Sequence, residues 1–195
     1  MIEVEKKFSL TPDQMKRIEA SAEFVKEVIN HDIYYDTDDY RLIKENKWFR
    51  NRDGQFEIKI PIPNKEKLIN IYNEVTDLKE IAEHIRLKQL SGDFEENLRL
   101  NGFQVLVKII TKRRKFKIRE FNIDIDEADY GYAVCEIEKM VEKEEEVEKA
   151  TEDIFSLARS LGLEVKFVRG KGLEYFYRFN KKVYQLIEDL RLRYE

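Results

Sequence analysis

Charged and apolar residues alternate one for one along the strand-like stretches of this chain, and no other feature limits its fold as tightly. The opening segment, MIEVEKKF, puts Ile2, Val4 and Phe8 on one parity and Glu3, Glu5 and Lys7 on the other. Successive side chains of a β-strand point to opposite faces, so a period of two marks a strand with two unlike faces. The pattern returns later. Arg50 and Arg52 alternate with Phe49, and Glu57 and Lys59 with Phe56, Ile58 and Ile60. Arg113, Lys115, Lys117 and Arg119 alternate with Phe116 and Ile118, Asp124 and Asp126 with Ile123 and Ile125, and Glu136 and Glu138 with Cys135 and Ile137. Two arrangements satisfy this pattern. An open sheet would turn its charged face to water. A closed barrel would instead turn apolar faces outward beneath helices and line a lumen with the charges. Such a lumen would suit a metal-bound polyphosphate, because Arg and Lys bind phosphate oxygens while Asp and Glu bind Mg²⁺ or Mn²⁺.

The segments between the strands read as follows. TPDQMKRIEASA is a short helix with Thr11 as N-cap and Pro12 at its first position. HDIYYDT is extended. KWFRNRDGQFEIKIP is a hairpin turning at Asp53-Gly54, and LINIYNEVT is a strand. DLKEIAEHIRLKQL carries Leu78, Ile81, Ile85 and Leu90 at helical spacing. The run from Phe103 to Val141 holds three or four strands, divided at Arg119-Glu120 and at Ala128–Gly131. VEKATEDIFSLARSLGL is a helix stopped by Gly162, and GLEYFYRFNKKVYQLIEDLRLRY is mostly one final helix. Strands joined by short connections suit antiparallel pairing and an α+β class.

Bulk properties narrow the function. The 195 residues fit one domain, 1–195, large enough to close a barrel. Acids outnumber bases 40 to 36, and a net charge of −4 argues against a generic nucleic-acid binder. No apolar run approaches the roughly 20 residues of a membrane helix, and charges from Glu3 onward interrupt any signal-peptide pattern. One cysteine, Cys135, and two distant histidines, His31 and His84, exclude an internal disulfide and make zinc chemistry of the Cys/His kind a poor fit. A reducing, cytoplasmic location and a monomer follow as expectations.

The first strand contains Glu3-x-Glu5-x-Lys7, and the chain resembles the CYTH, or triphosphate tunnel metalloenzyme, superfamily. The supporting segments occur in the order of that superfamily: HDIYYDT, WFRNR with FEIK, YNEVT, TKRRKF, IDIDEADYGYAVCEIE and GKGLEYFYRF. The resemblance runs from residue 1 to about 180, and within the superfamily it is greatest to the thiamine triphosphatases. It implies an eight-stranded antiparallel tunnel with helices packed outside. On the same footing Lys7, Arg50, Arg52, Lys59, Arg113 and Lys171 would grip a triphosphate. Arg52 and Lys59 would also stabilise charge as the terminal phosphoryl leaves. Glu3, Glu5, Asp124, Glu136 and Glu138 would hold divalent cations, Mg²⁺ or Mn²⁺, and Glu74 would assist them or position water. Asp126 shares the parity of Asp124, which leaves the choice between them open. Lys115 and Arg114 compete with Arg113 within one basic run, and Tyr35 and Asp36 fit a structural role as well as a ligand role. Trp48 shares a face with Arg50 and Arg52, and the resemblance implies that it meets the thiamine part; the other reading has it only plugging the tunnel end or packing against an external helix.

The implied activity is metal-dependent hydrolysis of a triphosphate compound, thiamine triphosphate before others. Inorganic triphosphate hydrolysis, a class IV-type adenylyl cyclase and a non-catalytic polyphosphate-binding module are the alternatives. Clustered carboxylates argue against the last of these, since anion capture alone needs none.

Overall fold

The computed structural model describes residues 1–88 and 92–193 of the chain. Among the described residues, strands β1 (Ile2–Phe8), β2 (Glu23–Thr37), β3 (Trp48–Arg52), β4 (Gln55–Pro61), β5 (Asn70–Val75), β6 (Phe103–Ile118), β7 (Phe121–Ala128) and β8 (Tyr132–Val141) form a closed barrel. Their order around it is β1-β5-β4-β3-β2-β6-β7-β8, and every neighbouring pair is antiparallel. Closure removes the exposed edges that an open sheet would leave, so of the two arrangements the alternation allowed, the barrel is the one adopted.

Local chemistry sets the connections. Helix α1 (Pro12–Ser21) begins with a capping box: the Gln14 amide donates to the Thr11 hydroxyl at 3.3 Å and the Thr11 amide to the Gln14 side chain at 2.8 Å. The β3–β4 hairpin turns at Asp53 and Gly54, with φ of 50° and 92°, the paired left-handed conformation that Asp-Gly adopts cheaply. The long run from Phe103 resolves into three strands, β6 to β8, divided at the two turns expected from the sequence.

Elsewhere the structure departs from the sequence reading. β2 begins at Glu23 rather than near His31, because it pairs along nearly the whole of β6. A register shift between Phe24 and Lys26 leaves Val25 as an extra residue and breaks the period of β2 near its start, and a second shift leaves Leu106 as an extra residue in β6. Two short helices, α2 (Arg41–Lys44) and α4 (Phe94–Leu100), were not anticipated. Helix α3 (Leu78–His84) is shorter than expected; it ends at Ile85 before Arg86 turns into positive φ, Leu78 is exposed, and Leu90 lies outside the described residues. After α5 (Val147–Ser160), the single C-terminal helix of the sequence reading is two, α6 (Lys171–Phe179) and α7 (Lys181–Arg193), broken at Asn180.

The apolar parity faces outward. Val4, Phe8, Ile123, Cys135 and Ile137 pack against Ile18 of α1 and Ala150, Ile154 and Ala158 of α5. Phe49, Phe56, Ile58 and Phe103 pack against α3 and α4 through Ile81 and Leu98. Each such side chain contributes about 1.5–3 kcal/mol through burial. A third cluster differs in kind. Phe176 of α6 and Val183 and Ile187 of α7 pack on Tyr34, Val107 and Ile109. Val107 lies opposite Tyr34 and Ile109 opposite Asp32, so these are inward-facing positions, and α6 and α7 plug that side of the barrel. No helix among the described residues is long and apolar enough to cross a membrane.

Candidate active site

The lumen is a cavity of about 860 Å³ lined by charged side chains from the strands and by Lys171 from α6. The structure brings together here Glu3, Glu5, Lys7, Trp48, Arg50, Arg52, Lys59, Glu74, Arg113, Glu136, Glu138 and Lys171 from the sequence reading. Asp124 and Asp126 lie behind its wall, fully buried against Arg113. The charges sort into three groups that parity alone does not distinguish.

The first is acidic. Oxygen atoms of Glu3, Glu5 and Glu138 lie within 4.8 Å of one another. Lys59 Nζ donates to Glu3 at 2.5 Å and to Glu5 at 3.3 Å, and Lys7 pairs with Glu5. The effect on each carboxyl depends on its neighbours. Burial would raise Glu5, but Lys59 and Lys7 outweigh it and hold this carboxyl well below its usual range. Burial raises Glu3, and it raises Glu138 further, with Glu3 and Asp124 adding to the push. Three hard oxygen donors this close repel one another, and they match what Mg²⁺ or Mn²⁺ accepts.

The second group centres on Arg113. Its Nε and Nη2 donate to Asp126 at 2.7 Å each, its Nη1 to Asp124 at 2.5 Å and its Nη2 to Glu136 at 2.9 Å. Lys171 also pairs with Asp126, and Lys115 reaches Asp124 at 3.3 Å. Asp126 is thus engaged on both oxygens. Asp124 Oδ1, by contrast, is buried and accepts no hydrogen bond. The presence of Asp124 and Glu136 around a guanidinium, rather than within the first cluster, is a feature the sequence reading did not contain.

The third group holds three side chains that reading did not assign, Asp32, Tyr34 and Glu57. Asp32, 1% exposed, accepts from Arg52 Nε at 2.7 Å and Nη2 at 2.8 Å, with Arg50 Nε at 3.7 Å. Arg50 also pairs with Glu57 and donates to the Tyr34 hydroxyl at 3.4 Å. Glu57 in turn is hydrogen-bonded to Glu74, whose carboxyl is pushed up to about 7 by burial and by the Glu57 charge. The signal for Glu57 was present, since it shares the parity of Lys59. Asp32 and Tyr34 share a parity too, but His31 and Tyr35 on the other parity give no clean apolar face to reveal it.

The remaining residues take structural places. Tyr35 points outward onto Phe49 and Phe56 at 5.7 and 6.2 Å. Asp36 accepts from the amides of Thr37, Leu42 and Ile43 and so caps the α2 turn. Asn51 faces away from the lumen and accepts from Gly54 N at 2.8 Å. His31 pairs with Asp53 and His84 with Glu80, both outside the barrel.

Lys171 reaches the lumen because its flanks are glycines. A Cβ on Gly170 would lie 2.9 Å from Lys7 Cε, and one on Gly172 would lie 2.8 Å from the Trp48 ring. Burial, then Arg113, Arg52 and Arg50, pushes the Lys171 ammonium well below its ordinary pKa. Trp48 faces inward beside Arg50 and is also packed on α6: it stacks on Phe176 at 6.5 Å and meets Tyr34 edge-on at 6.2 Å. Trp48 thus packs against a helix, as one reading had it, and also lines the cavity.

Comparison with known proteins agrees with this architecture. The CYTH domain family model matches residues 1–169. Human thiamine-triphosphatase is 30% identical over 203 residues, covering 95% of this chain and 88% of the human protein. The Macaca fascicularis thiamine-triphosphatase is 31% identical over 208 residues with the same coverage. Among solved structures, the PH1819 protein of Pyrococcus horikoshii OT3 superposes with a TM-score of 0.67 at 25% identity, over 90% of this chain and 98% of that one.

Proposed function

The chain belongs to the CYTH domain family, and from that premise we propose that it is a metal-dependent hydrolase that converts thiamine triphosphate to thiamine diphosphate and orthophosphate. One observation carries the reading. A carboxylate triad and six cationic side chains (Lys7, Arg50, Arg52, Lys59, Arg113 and Lys171) are gathered around one cavity large enough for such a substrate. An anion-binding module would need only the cations.

Glu3, Glu5 and Glu138 would hold a divalent cation, with the orphan Asp124 Oδ1 next to complete its oxygen set; this favours Asp124 over Asp126 as the ligand. When bound, the cation would supply charge neutralisation at the phosphate oxygens and polarise an attacking water. The protein's own groups do the rest. Arg52 spends two of its five N–H donors on Asp32, which leaves its outer edge for phosphate. Arg50, Arg113, Lys7 and Lys171 neutralise the triphosphate and stabilise charge on the departing diphosphate. Lys59, set between Glu3 and Glu5, joins the cation side of the site to the phosphate side. Glu74, poised near neutral pH, would orient water and take its proton. The apolar wall of Trp48, Ile43 and Ile187 favours an organic group beside the phosphates. The same reading takes Mg²⁺ as the resident cation, accepts Mn²⁺ on these oxygen donors, and has a cytoplasmic monomer as the working form.

Phosphate release from thiamine triphosphate, inorganic tripolyphosphate and ATP, each with and without Mg²⁺, is the test. Mg²⁺-dependent release with thiamine triphosphate preferred is expected. Preference for inorganic tripolyphosphate would move the substrate assignment and keep the chemistry. Cyclic AMP formation from ATP, or no turnover of any triphosphate, would overturn the proposal.

A further inference from the structure

Lys171 is delivered to the lumen as the first residue of α6, with Gly170 as the N-cap where the preceding loop enters the helix. The backbone at Gly170 and Gly172 must pass close to Lys7 and Trp48, so neither residue can carry a side chain that would stiffen it. The ammonium it delivers is repelled by Arg113, Arg50 and Arg52 and attracted by Asp126 and Asp32. The Glu174 amide closes the first turn on the Gly170 carbonyl at 2.9 Å, and contacts from outside α6 hold the rest of this backbone against that repulsion.

The β7–β8 turn supplies that hold. The Tyr132 hydroxyl donates to the Arg169 carbonyl at 2.6 Å, and the Tyr130 hydroxyl donates to the Lys171 carbonyl at 2.6 Å. The two bonds grip the chain one residue to either side of Gly170. The phenol rings stack on each other, 6.2 Å apart and 11° from parallel, across Gly131 at φ 75°. Arg178 of α6 lies over both rings, at 5.7 and 5.5 Å, and pairs with Glu174, which also holds Arg169. Upstream, the buried Lys6 ammonium donates to the Lys166 carbonyl at 2.7 Å and ties the same loop to β1.

We propose that Tyr130 and Tyr132 are positioning residues that clamp the Arg169–Lys171 backbone so that Lys171 stays in the lumen against the terminal phosphates. The clamp acts on the backbone, so its effect on turnover passes entirely through the lysine. This rests on the hydrolase reading only for what Lys171 grips; the clamp itself is a property of the ligand-free fold.

Tyr130→Phe, Tyr132→Phe and the double variant remove the hydroxyls and keep the rings. Two measurements test the proposal. By hydrogen exchange on the metal-free full chain, the amides of 167–173 should exchange at least about fivefold faster in the double variant, with the β1 and α5 amides unchanged. Unchanged exchange in that segment overturns the clamp whatever the enzyme does. By kinetics on inorganic tripolyphosphate, the double variant should lose about tenfold in kcat/KM in the wild-type background and less than about twofold in a Lys171→Met background. An equal loss in both backgrounds would mean that the tyrosines act elsewhere, and would overturn the positioning role. If the wild type turns over no triphosphate, the hydrolase reading fails and the exchange result alone decides the clamp.

Discussion

Arg52→Ala should cost the protein both phosphate grip and stability. From sequence alone, a luminal charge holds no packed core and its loss spares the fold. The structure revises that expectation, because Asp32 is 1% exposed and takes both its close hydrogen bonds from Arg52. Breaking a buried ion pair on one side costs about 3–5 kcal/mol, much of it from the abandoned charge. Here the Arg52 side chain is 20% exposed and Arg50 Nε remains 3.7 Å from Asp32, so about 2–3 kcal/mol is the reasonable share. For a chain of this size that is a fall in Tm of roughly 4–12 °C. Asp32→Asn in the Arg52→Ala background removes the orphan charge and should restore about half of the loss. Kinetically, hydrogen bonds to a charged partner contribute about 1.5–3 kcal/mol, so kcat/KM should drop roughly 10- to 150-fold. Arg52→Lys should recover part of both, since it keeps the charge and loses the fork. Differential scanning fluorimetry and phosphate release on the four proteins are sufficient. A double variant no more stable than Arg52→Ala would refute the orphan-charge argument, and a normal kcat/KM in Arg52→Ala would remove Arg52 from the site.

Glu5→Gln should cut turnover by more than about tenfold and should abolish the rise in Tm that Mg²⁺ gives the EDTA-treated wild type; full activity in excess EDTA would contradict the cation site. Glu74 is raised from an ordinary 4.5 to about 7, so the folded chain binds that proton more tightly than the unfolded one. Its contribution is complete below pH 4.5 and is lost as pH rises through 7, so the metal-free protein should lose Tm between about pH 5 and pH 8, and Glu74→Gln should flatten that slope, with the raised Glu3 and Glu138 carboxyls keeping a residue of it. An identical slope in the variant would show the proton to sit elsewhere. Trp48→Ala should lower kcat/KM for thiamine triphosphate by about 5- to 30-fold and leave inorganic tripolyphosphate nearly unchanged, whereas an equal loss on both would make the ring a wall for Phe176 and nothing more.

How much of this was legible in the sequence depended on whether a residue's position is set locally. Parity is local, and it assigned Glu3, Glu5, Lys7, Arg50, Arg52, Lys59, Glu136 and Glu138 to one face without reference to the rest of the chain. Within the basic run the choice stayed open, and the structure makes it: Arg113 is buried among acids, while Arg114 pairs with Glu19 of α1 outside the barrel. A bulge defeats parity, because one extra residue reverses every face beyond it. β2 has one, at Val25, and β6 another, at Leu106; Asp32 and Tyr34 were missed because His31 and Tyr35 on the opposite parity are not cleanly apolar. The plugging of one side of the barrel was not legible either, since α6 and α7 present an ordinary amphipathic pattern and nothing local says that Phe176 is received by inward-facing Val107 and Ile109 rather than by an outer face.

Parity is silent, moreover, on which luminal neighbours meet, and the division of the carboxylates follows from register. Asp126 lies directly opposite Arg113 and Asp124 opposite both Lys115 and Glu136, so the guanidinium sits among three acids and neutralises them. Glu138 lies opposite Glu5 on β1, and burial with Glu3 and Asp124 raises it although Lys59 pulls the other way. One residue of slip between β7 and β8 would reverse the faces in contact and dissolve both groups together. The consequence is chemical. A cation entering beside Glu3, Glu5 and Glu138 would share these oxygens with Lys59 and relieve the strain at the raised Glu3 and Glu138 carboxyls, whereas a cation displacing Arg113 from Asp126 would have to break a two-pronged pair. The arrangement thus leaves acids in excess at one end of the lumen and fixes cations at the other, and a metal-bound triphosphate is a ligand that meets both ends at once.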